Sequence, residues 1–251
     1  MNLRRRLASI VAALAVVPII HAAVPSWLGI WEAESWTQRT AAGRPAGGAA
    51  EVRQKSQLMG RPPYKGEWAA KYDAGMKDKA ALQAAELQRK TCNFGFPMNM
   101  ESPSVFQVVN TQEETLIVFV TQDVRHIYTD GRPHAPPDEL WPTRMGDSIG
   151  HWEGDTLVVE TISRLANVPI AISSPMSKVT EGARFTERLR LLNPNQLENE
   201  MTIDDPAVFE HPWTVKIRYR RVPNMPRMIN YDCEQNDRNP VIDGKLTVRP
   251  P

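Results

Sequence analysis

The stretch Met145 to Ile162, Met-Gly-Asp-Ser-Ile-Gly-His-Trp-Glu-Gly-Asp-Thr-Leu-Val-Val-Glu-Thr-Ile, constrains the fold more than any other part of the chain. It predicts a strand, a tight turn at Glu153-Gly154-Asp155, and a second strand folded back on the first. Gly154 supplies the positive φ that such a turn usually needs. Thr156 to Ile162 is β-branched and apolar, which fits a pleated, half-buried surface.

Strand patterns recur on both sides of this hairpin. Trp27-Leu28-Gly29-Ile30-Trp31-Glu32 contains a Gly-x-Trp that reads as a first strand, with its Trp closing one end of a core. Val105 to Asn110, Thr115 to Thr121 and Val124 to Thr129 follow, and Leu116 to Val120 is apolar on both faces, as a doubly covered strand would be. Phe185 to Leu192, Gln196 to Ile203 and Trp213 to Val222 are three more, with Met228 to Cys233 as a last short one. In the third, alternation puts Trp213, Val215, Ile217 and Tyr219 on one face and Thr214, Lys216 and Arg218 on the other. Glu67 to Lys90 is the one helical stretch, rich in Ala, Lys, Glu, Gln and Leu, with Gly75 placed to split it. Arg132 to Arg144, carrying Pro133, Pro136, Pro137 and Pro142, reads as a long loop, and Ser163 to Gly182 as a poorly patterned excursion. About nine strands in meander order predict a mainly β fold, an antiparallel barrel or strongly curved sheet with a helical insertion before it. A barrel of about eight strands leaves room for one small ligand.

The ends of the chain and its charge narrow the setting. Met1 to Ala23 has the form of a secretion signal: Arg4, Arg5 and Arg6, then an apolar run from Ala8 to Ile20 too short to span a bilayer comfortably. Residues 24–251 would then form a single barrel-like domain that is periplasmic or secreted. Removing three Arg from 30 basic residues leaves 27 against 29 acids, a balance of −2. That argues against a nucleic-acid partner, which would select a basic excess. No later stretch is apolar enough for a membrane span. Cys92 and Cys233 most simply pair in an oxidising compartment, and the closure would stabilise the fold by roughly 3–5 kcal/mol in the chain-entropy model.

Candidate chemistry gathers on the strands. Glu187 alternates with Phe185, Leu189 and Leu191, so a carboxylate faces an otherwise apolar interior. Such a group needs a partner or a raised pKa. It is either a general acid/base or half of a buried ion pair with an arginine such as Arg125 or Arg188. His126 alternates with Val124 and Tyr128, and His151 with Ile149, so both imidazoles are candidates to face inward beside Glu187 as a proton-transfer set. The same residues read equally as core groups that satisfy one another. Tyr128, His134, Asp147 and Trp152 are candidate ligand contacts; His134 lies in the Pro-rich loop, where functional residues often sit. No Gly-x-Ser-x-Gly elbow is present, which excludes a serine hydrolase of that type. The histidines have no metal-ligand spacing, and no phosphate loop or dinucleotide fingerprint appears, so neither a metal nor a cofactor is expected.

Several of these segments together resemble a widespread family of secreted bacterial proteins. They are Arg125 to His134, Met145 to Thr161, Thr186-Glu187-Arg188, Met201 to Pro206, Pro212-Trp213-Thr214 and Tyr231 to Glu234, so the resemblance covers about residues 92 to 236. It implies a β-rich, lipocalin-like periplasmic protein, and it implies no reaction. One departure stands out: family members tend to carry a Pro-His-Ser-Glu-like stretch where this chain has Pro175-Met176-Ser177-Lys178. If that imidazole serves catalysis in the family, this chain has lost it. Two functions follow as expectations. One is an exported barrel that binds a small apolar or aromatic molecule, with an acid/base isomerase or lyase as its enzymatic form. The other is a non-catalytic carrier or structural envelope protein.

Overall fold

A computed structural model describes residues 27–34, 60–90, 95–101, 105–166, 168–171, 176–228, 241–242 and 245–246. The stretch Met1 to Ala23 expected as a secretion leader, Cys92, Cys233 and all but the first residue of the strand expected at Met228 to Cys233 lie outside the described residues.

Nine strands close into a barrel in chain order: β1 Ile30–Ala33, β2 Phe106–Asn110, β3 Glu114–Phe119, β4 Val124–Tyr128, β5 Asp147–Glu153, β6 Thr156–Ile162, β7 Arg184–Asn193, β8 Gln196–Asp204 and β9 Trp213–Arg221. β9 returns to pair with β1, which removes open edges. The expected meander holds with one correction. β4 and β5 run parallel, paired only at Tyr128↔Ile149, while the other neighbouring pairs are antiparallel. The reason is parity: strands that alternate direction around a ring can do so throughout only if their number is even. With nine, one pair must be parallel, and parallel neighbours need a connection that returns along the barrel. Residues 129–146, the Pro-rich loop, make that return.

The helical stretch is two helices, α1 Gly66–Gly75 and α2 Lys79–Lys90, divided just after Gly75. Asp78 Oδ1 accepts from the Ala80 and Ala81 amides at 2.9 and 3.2 Å and so starts the second helix. A one-turn helix, α3 Met98–Glu101, is wholly buried. A small separate hairpin pairs β10 Val241–Ile242 with β11 Lys245–Leu246.

The barrel is filled by side chains. Phe106, Phe119, Phe185, Leu189, Met201, Val215, Ile217 and Tyr219 are all buried within it. Leu116 and Val118 on β3 are half-buried on the outer face, so that strand is not covered on both sides as its apolar run suggested. Trp31 closes one end, as the Gly-x-Trp pattern predicts; its indole N–H donates to the Trp27 carbonyl at 3.0 Å, and Trp27 meets Trp152 edge-to-face at 5.0 Å. At the other end Tyr64, Trp68 and Tyr72 of the segment around α1 pack with Phe209 from the β8–β9 connection.

Outward-facing strand positions carry paired charge. Glu198 on β8 lies between Arg190 of β7 at 3.1 Å and Arg218 of β9 at 2.9 Å, and Lys216 reaches Glu200 at 2.6 Å. This follows from the pleat, since residues opposite one another on neighbouring strands share a face.

Gly146 is where the return loop enters β5. Its φ is +73°, and a Cβ there would lie 2.7 Å from the Ile162 carbonyl oxygen and 2.7 Å from Thr161 Cγ2. Gly146→Ala is therefore expected to cost about 1–3 kcal/mol, from the left-handed backbone and the backbone clash together. A urea titration followed by circular dichroism reads this as a lower midpoint at unchanged slope; a midpoint like that of the wild type would refute it.

Candidate functional site

The polar centre of the molecule is inside the barrel. Glu187 on β7 points inward with Phe185 and Leu189, as alternation predicts, and its partner is Arg125 of β4. Both side chains are fully buried. Arg125 Nη1 donates to Glu187 Oε1 at 3.2 Å, and Nη2 pairs with Oε2. Arg125 Nη2 also donates to Thr161 Oγ1 at 2.9 Å and lies 3.4 Å from Ser148 Oγ, and those two hydroxyls are 2.8 Å apart. Asn199 Nδ2 of β8 donates to Glu187 Oε1 at 2.7 Å. The Phe96 ring lies 3.7 Å from the guanidinium carbon of Arg125, a cation–π contact shielded from water.

Segment 95–101 brings Phe96 there and is itself held firmly. The Phe96 amide donates to the Arg144 carbonyl at 3.0 Å, and Arg164 Nε donates to the Phe96 carbonyl. Arg164 is buried among backbone carbonyls, and burial pulls its pKa down to about 9.

Tyr219 of β9 stands beside this network. Burial pushes its phenol well above the usual range; the Glu187 and Glu101 carboxylates add to that, while Asn199 and Arg125 oppose it. The Asn199 side chain lies close enough to its hydroxyl to influence it, but no bond of good geometry reaches Tyr219 Oη, Asn199 Oδ1 or Arg125 Nε. Buried polar atoms are ordinarily paired, so three in one cluster mark a place where the interior is not fully satisfied.

Two of the three residues expected to form a proton-transfer set lie elsewhere. His126 faces outward, its side chain 51% exposed, and Nδ1 meets Glu114 Oε2 at 2.9 Å. His151 also faces outward, 65% exposed, with Nε2 3.3 Å from Glu153 Oε1. Tyr128 shares the outer face, half-buried, between the His126 ring and the Arg132 guanidinium. None of the three joins Glu187 in the interior.

Register explains the correction. On β6 Leu157, Val159 and Thr161 are the almost fully buried side chains, and their partners on β5 are Trp152, Gly150 and Ser148. Directly opposed residues share a face, so Ile149 and His151 must point out. On β4, Arg125 and Ile127 oppose Ile117 and Thr115, both buried, which turns Val124, His126 and Tyr128 outward.

Trp152 does face in, but it packs against Trp27 at the closed end. His134 and Asp147 come together on the outer wall: His134 Nδ1 lies 2.5 Å from Asp147 Oδ2, and Nε2 lies 3.1 Å from Glu160 Oε1. Arg184 of β7 pairs with the same Glu160 oxygen. Burial alone would raise the Glu160 carboxyl, but the Arg184 guanidinium and His134 outweigh it and hold the group below the ordinary carboxylate range. Met176, where the family pattern has His, lies against α1; a Cβ on Gly75 would sit 2.9 Å from its sulfur.

Asn199 and Tyr219 were legible as polar groups on apolar faces, Asn199 beside Leu197 and Met201, and Tyr219 beside Ile217. Arg125, one of the two arginines expected as a partner for Glu187, is the one found there, although alternation did not show its face, since Ile127 lies on one face of the strand and Val124 on the other.

Together these features define a closed, filled β-barrel with a charged network at its centre. No family model matches the chain, and no curated protein does. Among solved structures it is similar to a secretory abundant heat soluble (SAHS) protein from Ramazzottius varieornatus, at 8% identity and a TM-score of 0.30, over 55% of this chain and 85% of that one. Among the described residues, no helix is long and apolar enough to cross a membrane, and no three His, Cys, Asp or Glu side chains are grouped to hold a metal ion.

Proposed function

We propose that this is an exported β-barrel protein that acts without turnover at its Arg125–Glu187 centre, as a structural protein of the cell envelope. The observation that carries this reading is the closed bonding of Glu187. Its two oxygens take Arg125 and Asn199, and the remaining Arg125 contact goes to hydroxyls. A carboxylate so engaged is closed to a substrate, which would have to displace a charged, geometrically matched partner. The outward histidines remove the other half of the acid/base set. An isomerase or lyase built on His126, His151 and Glu187 is therefore disfavoured.

One observation favours a second reading, a barrel that binds a small apolar or aromatic molecule. Tyr219 Oη, Asn199 Oδ1 and Arg125 Nε are buried without partners of good geometry, and a ligand amide could satisfy them, its carbonyl accepting from Tyr219 and Arg125 and its N–H donating to Asn199 Oδ1. A thermal-shift screen of small aromatic amides, acids and hydrocarbons on the wild type and Tyr219→Phe separates the two. The structural reading expects no compound to shift the transition. It also expects Tyr219→Phe to unfold at the same or a higher temperature, because an unpaired buried hydroxyl costs about 1–3 kcal/mol. A compound that stabilises the wild type and loses its effect in Tyr219→Phe would overturn it in favour of binding.

A further inference from the structure

Segment 129–146 joins the two strands that run parallel, and among its contacts with the barrel wall His134 bridges two strands at once. We propose that this segment is a proton-locked strap, docked on the barrel while both ring nitrogens of His134 carry a proton and released when one proton is lost.

The geometry makes the two states unequal. Nδ1 faces Asp147 Oδ2 at 2.5 Å and Nε2 faces Glu160 Oε1 at 3.1 Å. An ionised carboxylate only accepts, so both contacts are hydrogen bonds only when both nitrogens donate. The neutral ring has a single N–H. One contact then sets a nitrogen lone pair against a carboxylate oxygen, at a side chain only 14% exposed, where water has little room to intervene.

The groups facing His134 come from three strands. Asp147 is on β5 and Glu160 on β6, and Arg184 on β7 pairs with Glu160 and keeps that carboxylate ionised. Deprotonating the imidazole breaks the lock from the high-pH side, and protonating Asp147 and Glu160 breaks it from the low-pH side. The docked state occupies the window between.

Position gives the strap its consequence. Backbone bonds pin its two ends, Thr129 N to Glu113 O at 2.7 Å, and Thr143 N to Ser163 O at 3.0 Å. In the middle Arg132 lies over the Tyr128 ring, and His134 reaches Asp147 and Glu160. The strap connects β4 to β5, and a single register pair joins those strands at their seam. On the inner side Arg125 crosses that seam to Ser148 and Thr161. His134 ties the strap to β5 and β6 on the outer side, so its release frees the strap from those two strands.

Hydrogen exchange of the full chain tests the lock, measured at about pH 5.5 and about pH 8, across the span in which imidazoles ordinarily change charge. Rates are corrected for the intrinsic effect of pH. Wild-type amides in 130–142, between the pinned ends, are expected to exchange about tenfold faster at the higher pH, the scale of one lost charge-assisted hydrogen bond, with β7 and β8 unchanged. His134→Gln is expected to exchange fast at both pH values. Glu160→Gln is expected to exchange slowly at both, because an amide can donate to the bare nitrogen or accept from the protonated one. A wild-type strap indifferent to pH, or a pH response that persists in His134→Gln, overturns the proposal. Should His134→Gln fail to fold, Glu160→Gln decides alone: a docked strap without a pH response supports the lock, and a retained response overturns it.

Discussion

Glu187→Ala is expected to destabilise the protein by about 3–5 kcal/mol, because it strands the Arg125 charge in a sealed interior. Arg125 and Glu187 are both fully buried, so no water replaces the lost carboxylate. The neighbouring Thr161 and Ser148 hydroxyls can accept from the guanidinium but cannot neutralise it. The double replacement Arg125→Met/Glu187→Leu should cost far less than either single change, since it removes the charges and the need to pair them at once. Chemical denaturation of the two single variants, the double variant and His151→Ala checks this. His151 lies on the solvent side, and its replacement is expected to fall within about 0.5 kcal/mol of the wild type. A Glu187→Ala cost as small as that of His151→Ala would show that the pair is not what holds the barrel centre together.

Trp31→Ala is expected to cost about 3–5 kcal/mol, the range for removing a large aromatic side chain from a packed core. Trp31 is fully buried and sits at the closing strand, paired with Arg221 of β9 on one side and Phe106 of β2 on the other. Its indole also anchors Trp27, and the Arg221 guanidinium lies over its ring with the carbon 4.4 Å from the centroid. The cavity would therefore open at the joint where the barrel closes. For a chain of this length each kcal/mol corresponds to roughly 2–4 °C, so calorimetry should record a fall of about 6–20 °C. A fall of a degree or two would mean that β1 contributes little to closure.

Much of this architecture was legible in the residues. Phe185, Glu187 and Leu189 announce their shared face, because Arg184, Thr186 and Arg188 between them are all polar. Val215, Ile217 and Tyr219 do the same against Lys216 and Arg218. The Pro-rich run between β4 and β5 was visible as a loop, though not as the return that an odd strand count requires. β4 and β5 misled for a common reason: each carries apolar residues on both faces. Val124 and Ile127 point opposite ways, as do Ile149 and Trp152, so alternation alone left His126 and His151 undecided.

By itself the sequence determined a mainly β chain of about nine strands, a carboxylate turned inward at position 187 and a Trp at one closed end, because each of these is written in local periodicity. Tertiary structure decided which way the histidines point, that Arg125 is the partner of Glu187, and that His134 bridges Asp147 and Glu160. Those outcomes depend on cross-strand register and on closure of the ring. Register and closure couple residues tens of positions apart, and no window along the chain contains both partners.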